Sequence, residues 1–363
     1  MTADPGKDST STIERLLIVR LGAMGDILHS LPAATALRQA FPEASIGWLL
    51  EERWGELLCS LATPRSGDRS PQRPLVDHVH TVNTLSWRKS PWASGTWEQI
   101  GAAISELRAQ HYEIAVDLQG AIRSAVLARW SNAPVVYGMR QPRENVASMF
   151  YTRQVMPQGT HVVEQFFAVA EEVAGRSLTM PPVELPCDAA AEAASDRMLS
   201  ELGIRDFALL NPGAGWGAKQ WPAERYGEVA RRLGEGGLKS LINCGPGEES
   251  LVETVVSGSG GAAAVIKNSL SVLIALTRRA RVFIGGDTGP LHLAAALQVP
   301  VVAIFGPTDP ARNGPYGTRS IVLRSSSSRT SHSRRAEPEQ GLLAITSADV
   351  ISAARELLKG HRD

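Results

Sequence analysis

Cysteine is scarce in this chain. Its 363 residues include three, Cys59, Cys187 and Cys244. They lie far apart, with no CxxC and no Cys/His ligand spacing. That excludes a disulfide framework and a bound structural metal, and reads as reduced thiols of a cytosolic protein. An excess of charge of one sign is also missing. Lys plus Arg number 37 and Asp plus Glu number 37, so no overall basic field attracts nucleic acid. No apolar run reaches the length of a membrane span, so any membrane contact is expected to be peripheral. The start, Met1 to Glu14, is polar and partly acidic and has no apolar core, so it does not read as a secretory leader. Aromatics make up only 6% of the chain, yet eight of them are Trp.

What is present is a repeated strand and helix grammar, and the length favours two domains. Leu16–Arg20 is a short apolar strand running through Leu21-Gly-Ala-Met-Gly-Asp26 into a helix over Ile27–Ala40. Ala44–Leu50 is a second strand. Thr96–Gln110 has helical spacing, and Ile114–Leu118 is a third strand ending near Gly120. The pattern restarts at Phe207–Leu210 and runs through Lys239–Asn243, Ala264–Ile266, the strand before Gly285 and Val299–Phe305. Strands alternating with helices predict α/β units with parallel sheets covered on both faces. The three prolines between Gly175 and Pro186 separate the halves. The expected division is 1–178, 179–335 and a C-terminal piece, 336–363. Thr63–Pro74 reads as a mobile loop, and the Ser/Arg-rich stretch Ser325–Gln340 as disordered. A terminal helix over Val350–Leu358, capped by Thr346–Asp349, is expected to dock back on the first domain.

Five clusters could carry chemistry. In Gly285-Gly-Asp287-Thr288-Gly289-Pro-Leu-His292 an apolar strand passes through glycines into a small-residue helix. Asp287 or Thr288 is a natural cap, and free amides at a helix start attract phosphate. His292 falls one turn in, where its ring can lean toward the same anion. The bland reading is a capped core helix. In Asn211-Pro-Gly213-Ala214-Gly215-Trp-Gly-Ala-Lys219-Gln-Trp-Pro, glycines allow close backbone approach to an anion and Lys219 supplies charge. It is not a Walker loop, and the alternative is a flexible surface loop. Glu248 and Glu249 follow a glycine turn at the end of another strand. Either could bind ribose hydroxyls or simply face solvent.

Asp26 sits at the end of the first strand, where ligands of such sheets bind. Its carboxylate could accept a proton from a sugar hydroxyl, or merely cap its helix. A nicotinamide reading, with Glu51 or Glu52 on the ribose, is weak because Gly22-Ala-Met-Gly25 is not G-x-G-x-x-G. Trp87-Arg88-Lys89-Ser-Pro-Trp92 and Trp97 mix aromatics with base, and Arg140, Arg143 and Arg153 lie near Phe150 and Tyr151. Together they could hold an acidic, partly lipidic molecule, or form a solvated charged face.

Taken together the clusters resemble glycosyltransferase family 9, the ADP-heptose:lipopolysaccharide heptosyltransferases. The resemblance rests on Arg20 to Ala33, Asp117-Leu-Gln-Gly120, Lys219-Gln-Trp-Pro222, Gly285 to His292 and Phe305-Gly-Pro-Thr-Asp309. It implies a GT-B fold of two Rossmann-like doubly wound domains, with the donor on the second and the acceptor on the first. It implies inversion at the anomeric carbon, no cofactor and no essential metal. Residue by residue, Asp26 resembles the catalytic base and Lys219 the residue that meets the donor diphosphate. Gly213, Ala214 and Gly215 belong to the same donor loop. Asp287, Thr288, Gly289 and His292 resemble the donor phosphate site. Glu248 resembles the ribose acid, with Glu249 in reserve. Arg88, Lys89 and Arg143 resemble cations that hold an anionic acceptor.

The opening half is most similar to enzymes that add the first heptose to Kdo. Gly213-Ala-Gly-Trp-Gly before the lysine is closer to those that add the second. The expected partners are therefore ADP-heptose and Kdo-lipid A or a core oligosaccharide. The expected place is the cytoplasmic face of the inner membrane. The rivals are a same-family transferase with another acceptor or nucleotide sugar, and a non-catalytic ADP-binding module.

Overall fold

The computed structural model describes residues 13–267, 269–331 and 335–359. The polar start before residue 13 and the centre of the Ser/Arg-rich stretch therefore lie outside the described residues. The first half contains β1 (Arg15–Val19), α1 (Met24–Ala40), β2 (Ser45–Glu51), β3 (His78–Val82), α2 (Thr84–Lys89), α3 (Ser94–Ala109), β4 (Ile114–Asp117), α4 (Ile122–Trp130), β5 (Val135–Met139), β6 (Arg153–Val155) and α5 (Val162–Ala174). The second half contains α6 (Ala189–Glu201), β7 (Phe207–Asn211), α7 (Ala223–Glu235), β8 (Lys239–Asn243), α8 (Glu249–Gly258), β9 (Ala263–Ile266), α9 (Leu270–Arg279), β10 (Val282–Gly286), α10 (Gly289–Ala296), β11 (Val301–Phe305), α11 (Pro310–Asn313), β12 (Ser320–Arg324), α12 (Gln340–Ala344) and α13 (Ser347–Lys359).

Each half is a six-stranded parallel sheet. The orders are β3-β2-β1-β4-β5-β6 and β12-β11-β10-β7-β8-β9. Read from β9, the second order repeats the first. Leu16 to Val19 and Phe207 to Leu210 are fully buried, because helices cover both faces of each sheet. That is why these strands are unbroken apolar runs rather than alternating ones. In both sheets the strand order reverses between the first and fourth strands, β1/β4 and β7/β10. A crevice opens at the carboxyl ends there. Asp26, the Lys219 loop and the Asp287–His292 segment follow the strands at these points, while Glu248 follows the neighbouring β8.

The chain changes sheets between α5, which packs on α1, and α6, which packs on α9. One apolar core runs through the contact between halves, joining Met24, Ile27 and Leu28 of α1 to Leu291 and Leu293 of α10. Polar contacts bracket it. The Ser271 amide and hydroxyl donate to Glu56 Oε2 (2.9 and 2.7 Å), and His161 Nε2 lies 3.0 Å from the Gly314 carbonyl oxygen.

Three expectations change. The terminal helix α13 docks on the second sheet, not the first. Val350, Ile351, Ala354 and Leu357 bury against a core that also holds Ala208, Ile284 and Val302. Each large apolar side chain so buried is worth about 1.5–3 kcal/mol. Spacing showed that α13 has an apolar face, but the strap before it decides which sheet receives that face. The described parts of 325–340 are that strap. The Ala218 amide donates to the Arg335 carbonyl (3.0 Å), and the Glu339 amide to the Ala218 carbonyl (3.2 Å). Thr63–Pro74 is also tied down. Arg73 is buried, and its guanidinium donates to the carbonyls of Val76, Pro64 and Asp68.

Candidate active site

Lys219 ends a short 3-10 turn, Gly217–Lys219, just beyond β7. The strap clamps this turn through both polar backbone groups of Ala218. A Cβ on Gly217 would sit 1.6 Å from the Ala336 carbonyl oxygen, so only glycine lets the strap lie so close. Trp221 is buried behind it and donates from Nε1 to the Ile345 carbonyl at 3.0 Å. The lysine ammonium lies 2.5 Å from Asp287 Oδ2 and 4.2 Å from the centre of the Trp216 ring. Asp287 is 9% exposed at its side chain, and its other oxygen meets His292 Nε2 at 3.1 Å. Burial alone would push the Asp287 carboxyl up. His292 and then Lys219 outweigh it and hold the group well below the usual carboxylate range.

Thr288, rather than Asp287, is the N-cap of α10, and its side chain does not cap; Oγ1 donates to the Gly286 carbonyl at 3.2 Å. Pro290 has no N–H, and the Leu291 amide turns back onto the Thr288 carbonyl at 3.2 Å. The amides this helix start can present to an anion are therefore those of Thr288 and Gly289. That is fewer than a generic helix start offers.

Gly213 is buried with the Glu248 carboxyl folded onto it. A Cβ there would fall 1.9 Å from Glu248 Oε1. Glu248 Oε2 accepts the Gly245 amide at 2.8 Å. Asn211 donates to the Gly213 carbonyl (3.0 Å) and accepts from Asn243 (2.7 Å), joining the ends of β7 and β8 into one polar floor. Ala214 is half-buried, and Gly215 is exposed at the rim. Glu249 is turned away, paired with Lys267 at 3.3 Å. The geometry thus separates the two acids that the sequence left adjacent.

On the first sheet, Asp26 is not in the loop after β1. It lies inside the first turn of α1. The Arg20 guanidinium is 3.0 Å from Asp26 Oδ2, and the Ala23 amide donates to the same oxygen at 3.1 Å. Oδ1 is the oxygen left over, on a side chain that is 39% exposed. Arg20 is itself buried and also donates to the Leu118 carbonyl at the end of β4. Glu51, considered for a dinucleotide ribose, is buried and accepts the Thr84 hydroxyl, so it is occupied internally.

Arg143 is exposed beside the β4 turn, and its amide would lie 3.0 Å from a Cβ on Gly120. Arg88 and Lys89 are exposed at the far end of α2. None of the three has an ion-pair partner among the described residues. The structure keeps Arg88 and Lys89 on a different element from Arg143.

The two crevices face each other because α1 and α10 meet at their first turns. A Cβ on Gly25 would fall 2.6 Å from His292 Cδ2, and one on Gly289 would fall 2.6 Å from Met24 Sδ. Gly25 serves that close approach rather than a loop bend. Asp26 is the next residue along α1 after this contact. Sequence reasoning missed His29 of α1, whose Nε2 is 3.1 Å from His292 Nδ1. The one available signal was a polar residue one turn after Asp26 on a small, apolar helix.

Two doubly wound units presenting their strand-end crevices to each other form the architecture of a GT-B glycosyltransferase. The sequence model of glycosyltransferase family 9 (heptosyltransferase) matches residues 100–343, and the chain belongs to that family. Lipopolysaccharide heptosyltransferase 1 of Escherichia coli strain K12 is 30% identical over 350 residues, covering 94% of this chain and 100% of that protein. Among solved structures, the E. coli heptosyltransferase WaaC with ADP superposes with a TM-score of 0.76 at 27% identity, covering 94% of this chain and 99% of that one. The same enzyme with ADP-2-deoxy-2-fluoro heptose gives 0.73 at 27% identity, with the same coverage of both chains.

Proposed function

We propose that this enzyme transfers L-glycero-D-manno-heptose from ADP-heptose to the Kdo-bearing inner core of lipopolysaccharide, with inversion at the anomeric carbon. The observation that carries the reading is the contact of α1 with α10. It brings the first turn of α1, which carries the partly exposed Asp26 carboxylate, against the first turn of α10, whose His292 shares Asp287 with Lys219. The relatives that bind ADP or an ADP-heptose analogue support the donor, and their names support the acceptor.

In this reading the acceptor hydroxyl attacks the anomeric carbon as its proton passes to Asp26 Oδ1. The bond from that carbon to the diphosphate oxygen breaks on the opposite side, and ADP leaves. Arg20 and the Ala23 amide fix Asp26 through Oδ2, so the free oxygen is presented in one orientation. Negative charge building on the diphosphate is met by Lys219 and the amides of Thr288 and Gly289, groups already in place before reaction. Asp287 serves the phosphate site through its partners. It holds Lys219 and His292 and cancels the lysine's charge until the anion arrives. Gly213, Ala214 and Gly215 form the loop against the nucleotide, and Glu248 accepts ribose hydroxyls. Approach of the two halves excludes water and so protects the donor from hydrolysis.

Arg88, Lys89 and Arg143 meet acceptor carboxylates and phosphates. Trp92 (91% exposed) and Met149 (82% exposed), close in sequence to those cations, suit contact with the lipid part of the acceptor. No described helix is long and apolar enough to cross a membrane. The lipid-linked acceptor of this reading implies a peripheral protein working at the cytoplasmic face of the inner membrane. The test is mass spectrometry of Kdo-lipid A incubated with ADP-heptose, in which one added heptose is expected. A parallel panel of ADP-, UDP- and GDP-sugars should release only ADP. Binding of ADP without transfer to any lipid A precursor would leave a nucleotide-binding module instead.

A further inference from the structure

His29 belongs to the first half of the molecule yet ends on the donor side of the crevice. It is buried on α1, with its ring centre 4.1 Å from that of His292. A continuous line of contacts follows. Lys219 Nζ lies 2.5 Å from Asp287 Oδ2, Asp287 Oδ1 lies 3.1 Å from His292 Nε2, and His292 Nδ1 lies 3.1 Å from His29 Nε2. A carboxylate only accepts hydrogen bonds, so His292 Nε2 must carry a hydrogen. In the neutral ring Nδ1 is then a bare acceptor, and His29 Nε2 must donate to it. Nothing else among the described residues donates to His292 Nδ1.

We propose that His29 is a positioning residue for the donor site, fixing the tautomer and tilt of His292 and through it the Asp287–Lys219 pair. The role rests on the donor assignment above. It goes further in making the donor arrangement complete only when the acceptor half is seated against it. Two further observations support it. Gly25 leaves room for the His292 ring to lie against the backbone of α1, where a Cβ would be 2.6 Å from Cδ2. Burial above all keeps the His29 imidazole well below the usual histidine range. It is therefore neutral near pH 7 and has one N–H. The contact on Nε2 uses that hydrogen, and His29 Nδ1 is left buried without a partner.

The experiment compares His29→Leu with His29→Gln, whose amide N–H can reach the position of Nε2. Three readouts are taken: calorimetric ADP binding, donor kinetics and ¹⁵N spectra of the imidazole rings. Loss of a group that orients a ligating histidine costs about 10–100-fold in metal sites. The expectation here is about a 10-fold rise in ADP Kd and donor KM for Leu, with kcat less affected and with most of the loss restored by Gln. In a His292→Phe background, His29→Leu should cost nothing more, since the two act as one unit. The His292 Nδ1 resonance should be that of an unprotonated nitrogen in the wild type and should move in the Leu variant. If Leu does not fold, His29→Phe keeps a ring in the space and replaces it.

Wild-type ADP affinity in a folded Leu variant would overturn the proposal. So would equal impairment of Leu and Gln, or additive losses in the double variant. A protonated His292 Nδ1 would overturn it as well. Failure of the wild type to bind ADP would instead remove the donor assignment, and the ring-nitrogen spectra would still decide the His29 contact.

Discussion

Replacing Lys219 separates what the lysine does for the fold from its proposed role toward the donor. Lys219→Met keeps the length of the side chain and removes its charge. The pair with Asp287 is nearly closed to solvent, 11% and 9% exposed, at 2.5 Å. Removing one partner from such a pair typically costs about 3–5 kcal/mol. Asp287 keeps the His292 contact, so the lower figure, about 3 kcal/mol, is expected. For a unit of this size that lowers Tm by roughly 6–12 °C, at about 2–4 °C per kcal/mol. Lys219→Met with Asp287→Asn removes both charges and should return to within about 1 kcal/mol of wild type.

Activity should not return with it. A charge-assisted contact to the diphosphate is worth about 1.5–3 kcal/mol, or roughly 10–150-fold in donor kcat/KM. Both variants should lose it. Calorimetric melting and donor kinetics on the single and double variants decide the matter. Recovery of donor kcat/KM in the double variant would show that the lysine serves only the fold. An unchanged Tm in the single variant would show that the pair contributes nothing to it.

The pH dependence has a definite sign. The folded Asp287 carboxyl lies below its unfolded value, near 3.9. Its contribution is present above that value and is lost as pH falls through it toward the folded one. Wild type should therefore lose stability on acidification below about pH 5, and the double variant should lose less over the same interval.

Other outcomes follow from the same contacts. Asp26→Asn should lower kcat by about 10²–10⁴-fold and leave ADP binding unchanged in calorimetry. It should also lower Tm modestly, because buried Arg20 loses its counter-charge. Near-normal kcat with Kdo-lipid A would place the base elsewhere. Arg88→Ala with Lys89→Ala should raise acceptor KM without changing ADP affinity. That effect should shrink as salt is raised, since exposed charges are screened over about 8 Å at physiological ionic strength, and weakened ADP binding would contradict the assignment. Gly217→Ala should displace the strap from the lysine turn, read as faster proteolysis within 325–340 and a lower Tm; unchanged cleavage would show that the strap does not depend on that approach.

Much of the fold was legible because its strands are buried on both faces. Leu16–Val19 and Phe207–Leu210 had no reason to alternate, and glycine-containing turns marked several of their ends. The clusters were legible for the same reason, since a crevice forms where a strand ends at a reversal of strand order. What stayed hidden depends on partners distant in sequence. Arg73 looks like a solvated charge in a Pro/Ser-rich loop, and its burial depends on carbonyls that the loop itself brings into place. The serine-rich strap looks unable to order, because its own side chains bury little. Its place comes from pairing with Ala218 and from Gly217 standing aside. Asp26 was assigned to the loop because Gly22 and Gly25 suggested bending, whereas Gly25 is already helical.

The two halves share one strand order and use it oppositely. At the β1/β4 reversal the first half presents a carboxylate, anchored by an arginine that also holds the end of β4. At β7/β10 the second presents a lysine balanced by an aspartate. Each charge has its counter-charge within its own half. In the proposed mechanism neither alone can move a sugar, because a base without a leaving-group site only binds, and a leaving-group site without a base only waits for water. The proposed reaction therefore depends on how closely α1 can approach α10. That approach is governed by two glycines, Gly25 and Gly289, and by one histidine contact between His29 and His292. A methyl group at Gly25 would meet the His292 ring first. Gly25→Ala should thus disturb base placement and lysine orientation together, lowering kcat and ADP affinity in one step. Asp26→Asn, by contrast, should lower kcat and leave ADP affinity unchanged. A Gly25→Ala enzyme with normal kcat and normal ADP affinity would mean that the crevice tolerates a wider spacing, and the coupling drawn from this contact would fail.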